Sequence, residues 1–307
     1  VIEPAVVRHA DWSTNPAKRW VATAQRRDDH YVVRSIEPVR DDLLDAGAGP
    51  ALIGLDLPIG LPLAYARAVG IDSFPQALVA LGGTLLPKFF EIAGSAAEVS
   101  LDRPFYPRSA GPKGSVRRSQ LAERLGLDFS DLLRRCEQPL LGRPAPSSLF
   151  WLVGSAQVGR AAIHGWRELL QPARRADDGP ALWPFDGNLE ELVATRAVTV
   201  AEAYPAEFAR QFGFGRGGWS KRRQHDRRLV GEGLLRWAST HAVLLDPPVR
   251  DLVADGFGPR PDGEDAFDAL VGVLGLLRVV RGDEPTGPPL TADERSVEGW
   301  ILGLTPP

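Results

Sequence analysis

The 307-residue chain has a single cysteine, Cys136, and no methionine. One thiol makes no internal bridge, and five histidines without a second cysteine leave no Cys/His cage for zinc. A reducing, cytoplasmic setting is therefore expected. No apolar run approaches the ~18 to 20 residues needed to span a bilayer, and no basic-then-apolar leader opens the chain, so no membrane partner is expected. A broad excess of positive charge is also lacking. Lys plus Arg is 36 against 39 Asp plus Glu, a net charge of −3, which excludes a generally polycationic binder.

What is present is ordinary globular composition, 44% hydrophobic and 24% charged. At roughly 150 residues per domain the chain makes one large domain or two moderate ones. Charge is nonetheless uneven. Between Arg103 and Arg135 eight basic residues face three acidic ones, and between Arg216 and Arg228 six face one.

The first sixty residues alternate as strand, strand, strand, helix, strand. Ala5 to Asp11 is a short strand stopped by the turn cluster Ser13-Thr14-Asn15-Pro16. Trp20 to Ala24 and Tyr31 to Ile36 are β-branched and aromatic, the arms of an antiparallel meander. Val39 to Ala46 reads as a weak helix ended by Gly47. Ala51 to Asp56 is almost wholly apolar, as suits a central strand buried on both faces. From Leu63 to about Val198 the pattern loosens into helices, among them 119–133 and 157–170, separated by proline and glycine. Alternation returns at Val198 to Tyr204, followed by a helix through Phe212, a basic helix start at Lys221 and a densely apolar helix from Ala266 to Val280 with Asp262 as its N-cap. The expected organisation is a core from 1–62 and 198–282, a mainly helical insertion or lobe at 63–197, and a proline-rich tail at 283–307 packed on the surface.

Acidic residues stand where acids are expensive. Asp56 ends an apolar strand, where an unpaired carboxylate loses several kcal/mol of solvation on burial. Asp11 ends the first strand, and Glu202 lies within a third. Asp265 and Asp268, at i and i+3, share a helical face that continues through Gly272 and Gly275, each costing ~1 kcal/mol relative to alanine. That cost makes sense if the face lies tight against a sheet, bringing both aspartates to the strand ends. A group of carboxylates without histidine or cysteine suits Mg2+ or Mn2+, which take oxygen ligands and serve phosphoryl displacement. Each residue also has a plainer reading. Asp265 can be a helix-dipole partner, Asp11 a turn former, Glu202 an edge-strand residue and Asp56 the partner of an arginine.

The segments Ala10-Asp11-Trp12-Ser13, Gly54-Leu55-Asp56-Leu57-Pro58-Ile59-Gly60-Leu61-Pro62, Glu202-Ala203-Tyr204-Pro205 and Asp265-Ala266-Phe267-Asp268-Ala269-Leu270 resemble the marker segments of the domain-of-unknown-function 429 (DUF429) family, predicted nucleases with a ribonuclease H-like fold. Lys221 in Trp219-Ser220-Lys221 resembles another position of that pattern. The resemblance implies an α/β fold with a mixed five-stranded sheet flanked by helices. In it three antiparallel strands precede a helix and a parallel strand, and a helix-rich insertion lies between strands 4 and 5. It implies Asp11 as the first-strand carboxylate, Asp56 as the fourth-strand one and Asp265 or Asp268 as the last-helix one, with Glu202 at the family's acidic strand position; metal ligation by Asp11, Asp56, Asp265 and Asp268 is the expectation. His9 departs from the pattern, standing where a small residue is expected.

If the substrate is a nucleic acid, the two basic stretches supply the charge. Arg117 and Arg118 precede a helix, and Lys221 and Arg222 follow a glycine-rich loop; together with Ser13 and Gln157 they are the expected substrate contacts. Phe105, Tyr106 and Trp219 are candidates for stacking on bases. The glycine-rich run 213–218 lacks the Lys-Ser/Thr ending of a phosphate-binding loop and follows a helix, which excludes a nucleoside-triphosphatase of that type. The expectation is a metal-dependent phosphodiester hydrolase acting on DNA or RNA through Asp11, Asp56, Glu202, Asp265 and Asp268. A hydrolase or phosphotransferase for a small phosphorylated metabolite and a non-catalytic binding protein of the same fold are the alternatives. The sequence leaves the oligomeric state open.

Overall fold

Five consecutive buried residues, Ala51–Leu55, form a strand (β4) covered on both faces, and the sheet is built outward from it. The computed structural model describes residues 2–47, 49–112, 115–139, 148–153, 158–214, 219–260 and 263–305. The remaining strands are β1 (Val6–Asp11), β2 (Trp20–Arg27), β3 (His30–Pro38), β5 (Ala181–Leu182), β6 (Val198–Glu202) and β7 (Val243–Leu245). β1 pairs antiparallel with β2, from Val6 opposite Gln25 to Asp11 opposite Trp20, and β2 pairs antiparallel with β3. On its other side β1 runs parallel to β4, and β4 parallel to β6, with Leu55 opposite Glu202. β7 adds a parallel strand beside β3.

The protein is therefore α/β with a mixed sheet of seven strands, two more than the five expected. The two extra strands, β5 and β7, are two and three residues long. Runs that short carry no alternation that a sequence pattern can reveal. Ten α-helices accompany the sheet among the described residues: α1 (Leu63–Ala68), α2 (Phe74–Ala80), α3 (Arg118–Leu125), α4 (Val158–Gly165), α5 (Gln171–Arg174), α6 (Leu189–Thr195), α7 (Pro205–Gln211), α8 (Gln224–Thr240), α9 (Pro247–Ala254) and α10 (Gly263–Val280). None of the described helices is long and apolar enough to cross a membrane.

Two compact units result, one from Val1–Asp56, Asp186–Thr286 and Ile301–Leu304, the other from Leu57–Phe185, Gly287–Trp300 and Thr305–Pro307. In the first, α10 lies against β1 and β2. A Cβ on Gly272 would fall 2.1 Å from the His9 ring, and one on Gly275 would fall 2.1 Å from the ring of Phe208 in α7. The glycine stripe is what lets the helix approach so closely. A Cβ on Gly54 of β4 would also fall 3.2 Å from the same histidine and 2.8 Å from Ala203 and Leu276. His9 is accordingly accommodated, fully buried, with Nε2 3.4 Å from the Ala203 carbonyl and Nδ1 without a partner.

The second unit is centred on aromatic side chains. Phe89 stacks on Trp166 at 6.1 Å between centroids and meets Phe105 edge-on at 5.3 Å, while Trp166 donates from Nε1 to the Pro58 carbonyl at 2.8 Å. Arg134, wholly buried, pairs with Glu137 at 2.9 Å and donates to the carbonyls of Ile59 and Glu298, each at 3.2 Å.

Three expectations of local structure are corrected. Residues 39–46 form turns and no helix, and Arg8 from β1 donates to the Leu43 and Asp45 carbonyls there. The expected 119–133 helix stops at Gly126, which is left-handed at φ 67°, leaving α3 and a separate 3-10 turn. The 283–307 tail is not confined to the surface. Ile301, Leu302 and Leu304 are buried, and Leu302 donates to the Glu202 carbonyl at 2.9 Å. The expected N-cap Asp262 lies outside the described residues.

Candidate functional site

The carboxyl ends of β1 and β4 lie side by side. Asp11 is the last residue of β1, Asp56 follows the last residue of β4, and the Asp56 amide donates to the Ala10 carbonyl at 3.0 Å. Parallel pairing thus sets two aspartates next to each other, so that the charge of Asp56 bears on Asp11. Because α10 is pressed onto β1, its early turns bring Asp265 and Asp268 to the same end of the sheet, and Asp268 is buried.

Electrostatics ties the group together. Burial pushes Asp11 well above the ordinary carboxylate range, and the charges of Asp268 and Asp56 push it further. Asp56 is pushed up to about 7, first by burial and then by Asp268. Asp268 is raised by burial although Lys221 opposes the shift. Asp265, half-buried, rises to about 6 through desolvation, with Lys18 working against the change and Glu264 adding to it.

Lys221 is the counter-charge. Its ammonium is hydrogen-bonded to Asp268 Oδ2. Burial alone would lower the lysine, but Asp268, Asp11 and Asp56 together hold it above its ordinary value. The lysine backbone is fixed independently of that contact. Arg227 Nη1 donates to the Lys221 carbonyl at 2.6 Å, and Ser220 donates its amide to Asp226 Oδ2 at 2.9 Å.

Glu202 ends β6, buried, and its charge adds to the elevation of Asp56. Strand alternation turns its side chain to the sheet face opposite that of Ala201 and Ala203. Ser13 shapes a turn. Its hydroxyl accepts from the Asn15 amide at 3.3 Å, and its carbonyl accepts from Arg19 Nε at 2.6 Å. Arg222 is exposed, 3.8 Å from Glu264. Arg117 and Arg118 belong to the second unit, where the Arg117 amide donates to Gln120 at 2.8 Å and Arg118 lies over the Phe129 ring at 5.0 Å. Gln157 lies outside the described residues. The structure thus brings together Asp11, Asp56, Asp265, Asp268 and Lys221, with Glu202 and Arg222 at the margins.

Base stacking by Phe105 and Tyr106 is corrected, because both are buried, at 0% and 2% exposure, in the aromatic core of the second unit. Trp219 remains half-buried, 6.1 Å from the Phe267 ring. Two nearby charges escaped sequence reasoning. Glu264 stands four residues before Asp268, a spacing that already placed it on the same face. Lys18 follows the Asn15-Pro16 turn and had no signal beyond its charge. Arg19, over the Trp12 ring at 4.1 Å, was also missed.

The donor set is chemically right for a hard cation: all oxygen, partly to fully buried and mutually repelling. Asp265 Oδ2 and Glu264 Oε2 are buried without a hydrogen-bond donor. Yet among the described residues no three His, Cys, Asp or Glu side chains are already arranged to hold a metal ion. The ammonium of Lys221 holds one of the acids. Comparison with family models, curated proteins and solved structures finds no match for this chain.

Proposed function

We propose that this chain is a Mg2+- or Mn2+-dependent phosphodiester hydrolase acting on nucleic acid, with a ribonuclease H-like core of the DUF429 type. The observation that carries the reading is the convergence of Asp11, Asp56 and Asp268, from two parallel strand ends and one helix, into a buried group that a single lysine does not neutralise. The strand order β3-β2-β1-β4-β6, antiparallel and then parallel, supports the ribonuclease H-like assignment.

Asp11, Asp56, Asp265 and Asp268 would hold the cation. When bound, such an ion polarises a phosphoryl oxygen and acidifies water. Glu202, buried beside Asp56, serves as a further ligand or as a proton acceptor. Lys221 and Arg222 supply positive charge for the phosphate from the same unit, and Arg117 and Arg118 are further candidates for backbone contacts. The Lys221–Asp268 pair favours one rival, a binding protein in which the lysine permanently neutralises the acids and nothing is turned over.

The test is hydrolysis of labelled single- and double-stranded DNA and RNA, and of small phosphate mono- and diesters, in Mg2+, Mn2+ or EDTA. Cleavage of a polynucleotide that needs the metal and falls at least ~100-fold in Asp56→Asn is the expected result. Turnover of the small esters alone transfers the reading to a metabolite substrate. Cleavage that survives EDTA, or an Asp56→Asn chain of full activity, refutes the carboxylate mechanism.

A further inference from the structure

Lys221 stands in an unusual relation to the acids. Its side chain is 44% exposed although its ammonium touches Asp268, whose side chain is only 11% exposed. The lysine therefore reaches in from solvent. Its main chain is anchored by Arg227 and by the Ser220–Asp226 contact, neither of which depends on where the side chain points. The acids need more than it provides. One ammonium faces Asp11, Asp56 and Asp268, while Asp265 Oδ2 and Glu264 Oε2 have no hydrogen-bond donor. The other cations nearby do not substitute for it. Lys18 acts on Asp265, and Arg222 reaches Glu264 only at 3.8 Å.

We propose that Lys221 is a tethered counter-cation, seated among the carboxylates in the metal-free protein and expelled when a divalent ion enters, so that lysine and metal compete for Asp268. This rests on the metal-binding reading above and adds a regulatory element to it. Two cations cannot share these oxygens without repelling each other, and an apparent affinity falls by the fraction of molecules in which the site is taken. The lysine sets a threshold of metal concentration below which the site stays closed by its own side chain. Its release also frees a positive charge at the moment the metal arrives.

The experiment measures Mn2+ binding to the whole chain by calorimetry and by the resonance of free Mn2+, in wild type, Lys221→Met, Lys221→Arg and Asp11→Asn. The expected result is binding at least ~5-fold tighter in Lys221→Met, near wild-type affinity in Lys221→Arg, and loss of binding in Asp11→Asn. Amine labelling of Lys221, read by mass spectrometry in chains whose lysine is intact, is expected to accelerate on Mn2+ saturation in wild type and not in Asp11→Asn. Equal Mn2+ affinity in wild type and Lys221→Met leaves the metal site standing and overturns the competition. So does weaker binding in Lys221→Met, or labelling that Mn2+ slows or leaves unchanged. Absence of Mn2+ binding in every chain overturns both the competition and the metal site beneath it.

Discussion

His9 of β1 and Gly272 of α10 fill one another's space: the imidazole lies where a side chain at 272 would begin. This contact sets how near α10 comes to the sheet, and so where Asp268, one turn earlier, meets Asp11, two residues on. An uncharged ring suits the position. Burial lowers His9 to about 4, keeping it neutral in the fold.

Gly272→Ala is therefore expected to destabilise the protein. Alanine favours a helix by ~1 kcal/mol over glycine, but a methyl 2.1 Å from a packed ring is overpacking, which costs about 1 to 3 kcal/mol and more when the ring cannot move. Urea unfolding should show a net loss in Gly272→Ala. Adding His9→Ala should recover most of it, a coupling that independent sites do not show. Additive losses would mean that the two residues do not compete for space.

The legible part of this site followed from period and from cost. An apolar run ending in aspartate has few uses, and a helix with aspartates and glycines on one face declares which side is pressed on a sheet. Those patterns placed Asp11, Asp56, Asp265 and Asp268. Lys221 was legible as a positive residue but its partner was not, because the separation of 47 positions from Asp268 in sequence is closed only by tertiary packing. Phe105 and Tyr106 misled for the opposite reason, since an aromatic pair in a proline-rich stretch reads the same whether it lines a surface or a core. The short strands β5 and β7 and the buried tail depend on neighbours that no local window contains.

Arg134 is expected to be indispensable to the second unit. Its guanidinium has no solvent contact and is shared among Glu137 and the carbonyls of Ile59 and Glu298. Removing one partner of a buried pair strands the other, at about 3 to 5 kcal/mol. Arg134→Ala should lower the unfolding midpoint accordingly. Arg134→Lys should recover little, because an ammonium lacks the planar fork that reaches several acceptors. A fully stable Arg134→Lys would show that charge alone suffices there.

Tyr31 gives the protein an alkaline limit. Its hydroxyl is buried and donates to the Pro4 carbonyl at 2.9 Å, and burial pushes it up to about 12 from 10.0. The folded value lies above the unfolded one, so the folded state holds its proton more tightly. The contribution is complete below pH 10 and is lost as pH rises through about 12. It amounts to about 1 to 3 kcal/mol. Tyr31→Phe should be less sensitive than wild type between pH 9 and pH 12 in chemical denaturation. Parallel profiles for the two chains would exclude the linkage.

Asp56→Asn should separate stability from function. In EDTA at pH 8 wild type keeps Asp11, Asp56 and Asp268 together against one lysine, and both burial and repulsion tax their ionised forms. An amide at 56 keeps the shape while removing one negative charge, so the variant should be more stable by on the order of 1 to 2 kcal/mol. Saturating Mn2+ should reverse the order, because a ligand bound only by the folded state stabilises in proportion to its affinity. Scanning calorimetry of both chains with EDTA and with Mn2+ reads both halves of the prediction. A variant less stable than wild type in EDTA would mean that Asp56 is a net stabilising partner of Lys221, and the cluster would then be a structural ion network needing no metal.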